Sequence, residues 1–133
     1  MSERVNWKYL LEEEVDDSLQ HHVDNLDNTE AGRLVHNWLQ DTFEDELPLE
    51  WENYIENGKY DAFDGTCIYE FKTKHPAVFH SRPPYDGDIE QIDRYLDSRD
   101  INADFGIIVY INRGDLTEIQ EYFYDGYETT QLS

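Results

Sequence analysis

Hydrophobic positions in this chain shift between helical and strand spacing, and each change of period marks an element. Residues 7–20 carry Trp7, Leu10, Leu11 and Val15 at helical spacing, which predicts a short helix covering one face of a sheet. Residues 28–43 extend the helical period. With Asn28 or Thr29 as N-cap, Gly32, Val35, His36, Leu39 and Phe43 fall on one stripe. Through Glu46–Ile55, Leu47, Leu49 and Trp51 alternate with other residues as in a first strand. Two further strands, 59–64 and 66–73, flank Asp64-Gly65. A helix over 88–98 buries Ile89, Ile92 and Leu96, and the run Ile107-Ile-Val-Tyr-Ile111 lies in a strand over 104–111. Residues 115–125 fit either period; their aromatic content, and the final strand the sheet needs, favour a strand. This order predicts an α/β domain with a mixed central sheet flanked by helices.

Asp64-Gly65 between two β-rich runs predicts a two-residue type I′ hairpin turn. Phe63 then faces Thr66 and Asp61 faces Ile68. Asp61, Ile68, Glu70 and Lys72 share one face, while Tyr60, Ala62, Cys67, Tyr69 and Phe71 point the other way. Asp61 and Glu70 become diagonal neighbours, and two carboxylates so close repel unless a cation or proton lies between them. Oxygen ligands suit Mg²⁺ or Mn²⁺, which keep coordination positions for water and substrate phosphate. Such a site fits hydrolysis of a phosphodiester, with Lys72 positioning the attacking water or pairing with the phosphate. Read blandly, the same residues form an edge hairpin with solvated charges.

His36 on its apolar stripe is either a hydrogen-bonded core histidine or a metal ligand, and Gly32, one turn earlier, offers close approach to another chain. On the later helix Gln91 and Tyr95 lie one turn apart. Gln91 either completes a capping box with Asp88 beside a boundary aromatic, or both side chains hydrogen-bond near a metal or DNA. Residues 75–85 combine aromatics, His75, His80 and Arg82 directly after the acidic strand. They are expected either to hold DNA or to be a proline-stiffened connection. His21-His22 lacks a third spaced ligand and is expected on an exposed helix or loop.

Four patterns stand in one order: Gly32-x-x-x-His36, Gly58-x-x-Asp61, Glu70-x-Lys72 and Gln91-x-x-x-Tyr95. The set resembles the RecB-like branch of the PD-(D/E)XK nuclease superfamily, which includes CRISPR-associated adaptation nucleases. The resemblance spans about residues 30–111. It implies a restriction-endonuclease-like core over 28–111, an N-terminal helical segment over 1–27, and a C-terminal strand and tail over 112–133. It also implies His36, Asp61, Glu70 and the Phe71 carbonyl as metal ligands and Lys72 as the catalytic lysine. Gln91 and Tyr95 would support the site and contact nucleic acid. Apart from the resemblance, Lys74 among the clustered lysines and Arg82 in the loop after the acidic strand are further candidate DNA contacts. Related CRISPR nucleases carry a cysteine cluster; with Cys67 as its single cysteine this chain cannot build an Fe–S cluster.

Composition bounds the rest. At 133 residues the chain is expected to form one domain, and it has no apolar stretch of membrane-spanning length and no leader pattern, so a cytoplasmic protein without a membrane partner is expected. A formal charge of −21, from 31 acidic against 10 basic residues, opposes DNA affinity in dilute salt. Its distribution tempers that: of only four lysines, Lys59, Lys72 and Lys74 cluster around the hairpin. An acid-rich, lysine-poor surface also looks like that of an extreme halophile, from an archaeon or its virus, where molar salt shortens screening to about 3 Å. Ten tyrosines and three tryptophans offer stacking surfaces for unpaired bases. The expected activity is Mg²⁺- or Mn²⁺-dependent hydrolysis of single-stranded DNA or DNA ends, with a protein partner or second copy able to supply positive surface. The rival readings are an inactive nuclease-fold module that binds nucleic acid or a partner, and an acidic DNA mimic.

Overall fold

The computed structural model describes residues 5–55 and 58–132. The outermost residues of the expected N-terminal segment and tail, 1–4 and 133, lie outside the described residues. Asn6 caps α1 (Trp7–Glu14) by accepting the Tyr9 N–H, Asp16 caps α2 (Asp17–Asp24), and Asp27 caps α3 (Asn28–Phe43). The single helix expected over 7–20 is therefore two. Val15 turns extended after α1, and the Asp16 carboxylate takes the Leu19 N–H at 2.8 Å to start a new one. The cap of α3 is likewise Asp27, one residue before the expected Asn28 or Thr29, because its carboxylate reaches the Glu30 N–H.

The strands are β1 (Glu50–Ile55), β2 (Gly58–Phe63), β3 (Cys67–Lys74), β4 (Phe105–Asn112), β5 (Asp115–Tyr124) and β6 (Thr129–Gln131). They form one sheet in chain order. β3 and β4 run parallel and every other neighbouring pair is antiparallel. That one parallel step needs a crossover, which α4 (Pro76–Phe79) and α5 (Asp86–Leu96) provide. The sheet is thus mixed and flanked by helices, as the patterning predicts, and the ambiguous stretch after 115 is a strand. β1 starts at Glu50 because Pro48, lacking an N–H, cannot join a ladder.

Alternation along β4 divides the interior. Ile107, Val109 and Ile111 pack with Trp7, Leu39, Phe43, Tyr69 and Phe71 under α1–α3. Ile108 and Tyr110 pack with Ile68, Phe79, Ile92 and Tyr95 under α4 and α5. Trp7 is fully buried, with the rings of Phe43, Trp51, Tyr69 and Phe71 edge-on at 4.8–6.4 Å. The opposite face is tyrosine-rich, and its phenols carry polar ties: Tyr110 donates to Asp88 and Tyr124 to Asp93, each at 2.7 Å.

The β2–β3 turn differs from the expected type I′. Asp64 keeps a negative φ, and only Gly65 there is left-handed, at φ +98. The Asp64 carboxylate accepts the N–H groups of Thr66 and Cys67 at 2.8 and 2.7 Å, which builds a longer connection. Phe63 consequently pairs with Ile68 instead of Thr66. The slip is of two residues, so faces are kept while partners change. Among the described residues no helix is long and apolar enough to cross a membrane. His21 and His22 are exposed on α2, and Cys67 packs half-buried against the first cluster.

Candidate functional site

The two-residue slip places Asp61 directly opposite Glu70 rather than diagonal to it, if the Phe63–Ile68 register is carried on. Backbone pairing ends there, at Ala62 with Tyr69. Carboxylates take over: the Asp61 N–H donates to Glu70 Oε1 at 3.3 Å, and the Phe71 N–H donates to Asp61 Oδ2 at 2.8 Å. The strands are tied through side chains, and alternation along β2 breaks at this point. Tyr60 packs with Ile68 on the α5 face while Ala62 packs with Tyr69 on the α3 face, against the expectation that they share one. On the other side of β2, pairing with β1 also skips Asp61, and the residue across from it, Glu52, stands at φ +44.

α3 delivers His36 to this break. The buried stripe of α3 is Ala31, Val35, Leu39 and Phe43, so His36 sits at its edge, half-buried, with room to reach the sheet. Its Nε2 lies 2.9 Å from Asp61 Oδ2 and 3.2 Å from the Phe71 carbonyl oxygen. One imidazole N–H thus stands between two of the oxygen donors that the resemblance names as ligands. On the other face Lys72 Nζ donates to Gln91 Oε1 at 2.6 Å and lies 3.7 Å from Glu70 Oε2. Gln91 Nε2 donates to the Tyr95 hydroxyl at 3.0 Å, and that hydroxyl donates to the Lys59 carbonyl at 3.0 Å. Gly58 makes this last contact possible: a Cβ there would stand 2.9 Å from the Tyr95 ring, and its φ is +140.

Gln91 therefore does not complete a capping box. α5 begins at Asp86 after Tyr85, which makes no side-chain cap, and Asp88 accepts from Tyr110 instead. Tyr95 is a buried residue of the second cluster rather than a boundary aromatic. Gly32 faces open space in the groove lining, and no part of this chain approaches it, since a Cβ built on it meets nothing within 4 Å.

Electrostatics at the break follow from burial. Glu70 has its pKa raised well above the usual 4.5, first by burial and then by the charge of Asp61, with Lys72 opposing. Burial would lower the His36 pKa, but the Asp61 hydrogen bond and charge, the Phe71 carbonyl and Glu52 outweigh it and hold it above 6.5. Burial, and after it the charge of Glu70, raises the Tyr95 phenol above 10.0, keeping it a hydrogen-bond donor.

Beside the break opens a groove of about 530 Å³, lined by Arg33, His36, Glu52, Lys59, Lys72 and Lys74 among others. Three of the chain's four lysines face one groove. Lys74 is held 3.7 Å from Asp88 and over the Tyr85 ring. Arg82 is exposed and stands apart from the groove lining. Two charged groove residues go unmarked in the sequence, Arg33 and Glu52, and Lys59 is marked only as one of the clustered lysines. Folding β1 onto β2 with Ile55 opposite Gly58 would have found Glu52, because that register sets it across from Asp61.

The fit to a divalent cation is one of donor chemistry. Two carboxylates, an imidazole and a main-chain carbonyl suit Mg²⁺ or Mn²⁺, while His36 at Asp61 and Lys72 at Glu70 are the groups that face the acidic pair as it stands. As they stand, those donors are closed on N–H groups. Among the described residues no group of three or more His, Cys, Asp or Glu side chains is arranged to hold a metal ion. No protein-family profile, curated protein or solved structure matches this chain.

Proposed function

We propose that this chain is a metal-dependent nuclease that hydrolyses phosphodiester bonds of single-stranded DNA or DNA ends. One observation carries the reading. Asp61, Glu70, His36 and the Phe71 carbonyl meet at a break in the β2–β3 ladder, at the mouth of a groove that gathers Lys59, Lys72, Lys74 and Arg33 in a chain of net charge −21. A surface otherwise so acidic concentrates its cations where a phosphate backbone would lie.

In this reading Asp61 and Glu70 hold Mg²⁺ or Mn²⁺, with His36 and the Phe71 carbonyl completing the protein ligands. When bound, the ion supplies Lewis-acid polarisation of water and neutralises charge on the phosphoryl oxygens. The chain's own residues do the positioning. Gln91, tied to Tyr95, steers the Lys72 ammonium, which hydrogen-bonds the attacking water and aligns it with the scissile phosphorus. A P–O bond to that water forms as the bond to the leaving sugar oxygen breaks; the proton the water gives up passes to solvent, and a solvent proton reaches the leaving oxygen. Lys74 and Arg33 take flanking phosphates.

Digestion of end-labelled single- and double-stranded DNA in molar KCl, with Mg²⁺ or Mn²⁺, tests the proposal beside Lys72→Ala. Metal-dependent products from the parent, lost in the variant, are expected; a folded parent that leaves every DNA intact under both metals removes the enzyme reading.

A second reading has one observation of its own. Donors closed on N–H groups, with no three-ligand arrangement among the described residues, favour a module that keeps the groove and binds nucleic acid without cutting it. That module would bind oligonucleotide equally well with metal or chelator.

A further inference from the structure

We propose that Lys59 forms a second phosphate subsite on the β2 side of the groove, and that the Glu52 carboxylate occupies it in place of a DNA backbone phosphate. The inference rests on the reading of the groove as a nucleic-acid channel and adds a residue pair that no motif marks. Glu52 Oε2 lies 3.8 Å from Lys59 Nζ and its Oε1 lies 3.8 Å from His36 Nδ1. One carboxylate thus lies between the Lys59 ammonium and the His36 ring, where an anionic phosphate would lie. Both contacts of Glu52 are longer than hydrogen bonds, and the Glu52 and Lys59 side chains are partly solvated, so moving the Glu52 carboxylate aside breaks no hydrogen bond to Lys59 or His36.

The backbone on either side is built to present these groups. Lys59 is anchored through its carbonyl, which accepts from the buried Tyr95 hydroxyl at 3.0 Å, and Gly58 before it leaves the space Tyr95 fills. Glu52 keeps a left-handed φ of +44, which costs a non-glycine residue strain and persists where the surroundings impose it. That conformation, at the gap in β1–β2 pairing, turns the carboxylate into the groove lining. Each groove lysine has its own acid: Glu70 for Lys72, Asp88 for Lys74, Glu52 for Lys59. Of these acids only Glu52 itself lines the groove, so it is the one an entering strand must displace.

Fluorescence anisotropy with a 5′-labelled single-stranded oligo(dT) in EDTA reads binding without cleavage. Glu52→Gln should tighten the Kd about three- to tenfold and steepen its salt dependence by about one released counterion. Lys59→Gln should weaken binding by a similar factor, and Glu52→Gln added to it should give no further gain. Circular dichroism confirms the fold of each variant, and the Lys59→Gln arm decides alone if Glu52→Gln folds poorly. Unchanged affinity in either single variant, a gain that survives without Lys59, or no oligonucleotide binding by parent and Glu52→Gln alike, overturns the subsite. A parent that shows the Glu52 effect in EDTA yet cuts nothing with Mn²⁺ leaves the subsite in place and removes the nuclease reading instead.

Discussion

β3 is bordered by two seams of opposite character. Toward β4 it pairs in continuous parallel register from Cys67 with Phe105 to Lys74 with Asn112. Toward β2 its backbone pairing is confined to Tyr69 and Ile68, and beyond them Asp61 and Glu70 receive the amides that carbonyls would otherwise receive. A ladder carbonyl satisfies an N–H without net charge, whereas a carboxylate does so by bringing charge into a buried place. The first seam is where the fold is stabilised. The second is where stability is given up to hold charged groups in position, and a bound cation would recover some of it.

The largest way to break this contrast is Asp61→Ala. DNA cleavage should fall by about 10²-fold or more, the scale of losing one preorganised electrostatic group, and the orphaned Phe71 N–H should cost about 1–3 kcal/mol of stability. Initial rates per folded molecule, with the folded fraction read by circular dichroism, check it; cleavage within threefold of the parent would make the acids merely structural. Ile107→Ala tests the other seam. Ile107 is 2% exposed and pairs with Tyr69, so about 2–5 kcal/mol should be lost in denaturant unfolding, with cleavage per folded molecule unchanged.

Glu70→Gln should have a smaller effect of opposite sign. Because the folded pKa of Glu70 lies above its unfolded value near 4.5, the stabilising contribution of its protonated form is complete below that value. It is lost as pH rises through the folded pKa. Without metal at neutral pH the variant should therefore exceed the parent by about 1 kcal/mol, because Lys72 at 3.7 Å offsets only part of the cost of burying that charge beside Asp61. The two stability curves should converge in acid, and the variant should lose any rise in melting temperature on adding Mn²⁺. Parallel curves across pH would show that Glu70 carries no such strain.

The smallest effect belongs to Gly32→Ala. A methyl there meets nothing within 4 Å, so helix propensity should add about 0.5–1 kcal/mol. A gain in thermal stability accompanied by weaker oligonucleotide binding would show that the groove wall at Gly32 is used by DNA.

What sequence could disclose divides along the same line. Elements with sustained period, α3 and the apolar β4, are legible because burial imposes the period directly. The mixed sheet and the sharing of one face by Glu70 and Lys72 also follow from alternation, which a slip of two residues leaves intact, whereas Asp61 sits at the break in β2 and is reached by His36 from the α3 side. The slip itself was hidden, since it depends on the Asp64 carboxylate capping its own turn. The break of the α1–α2 run at Val15 depends on the Asp16 cap in the same way. Tyr60 changed faces because charged groups displaced the ladder at Asp61, a tertiary event with no local signature. Glu52 became visible only once β1 lay against β2, and Arg82, chosen for its charge and place after β3, is exposed and does not line the groove.

Titration calorimetry with Mn²⁺ in molar KCl, on the parent, Asp61→Ala and Glu70→Ala, tests the paired-acid seam most directly. Saturable binding by the parent that is lost in both variants is the expected result. A folded parent that takes up no Mn²⁺, or variants that bind it as tightly as the parent, would contradict the account.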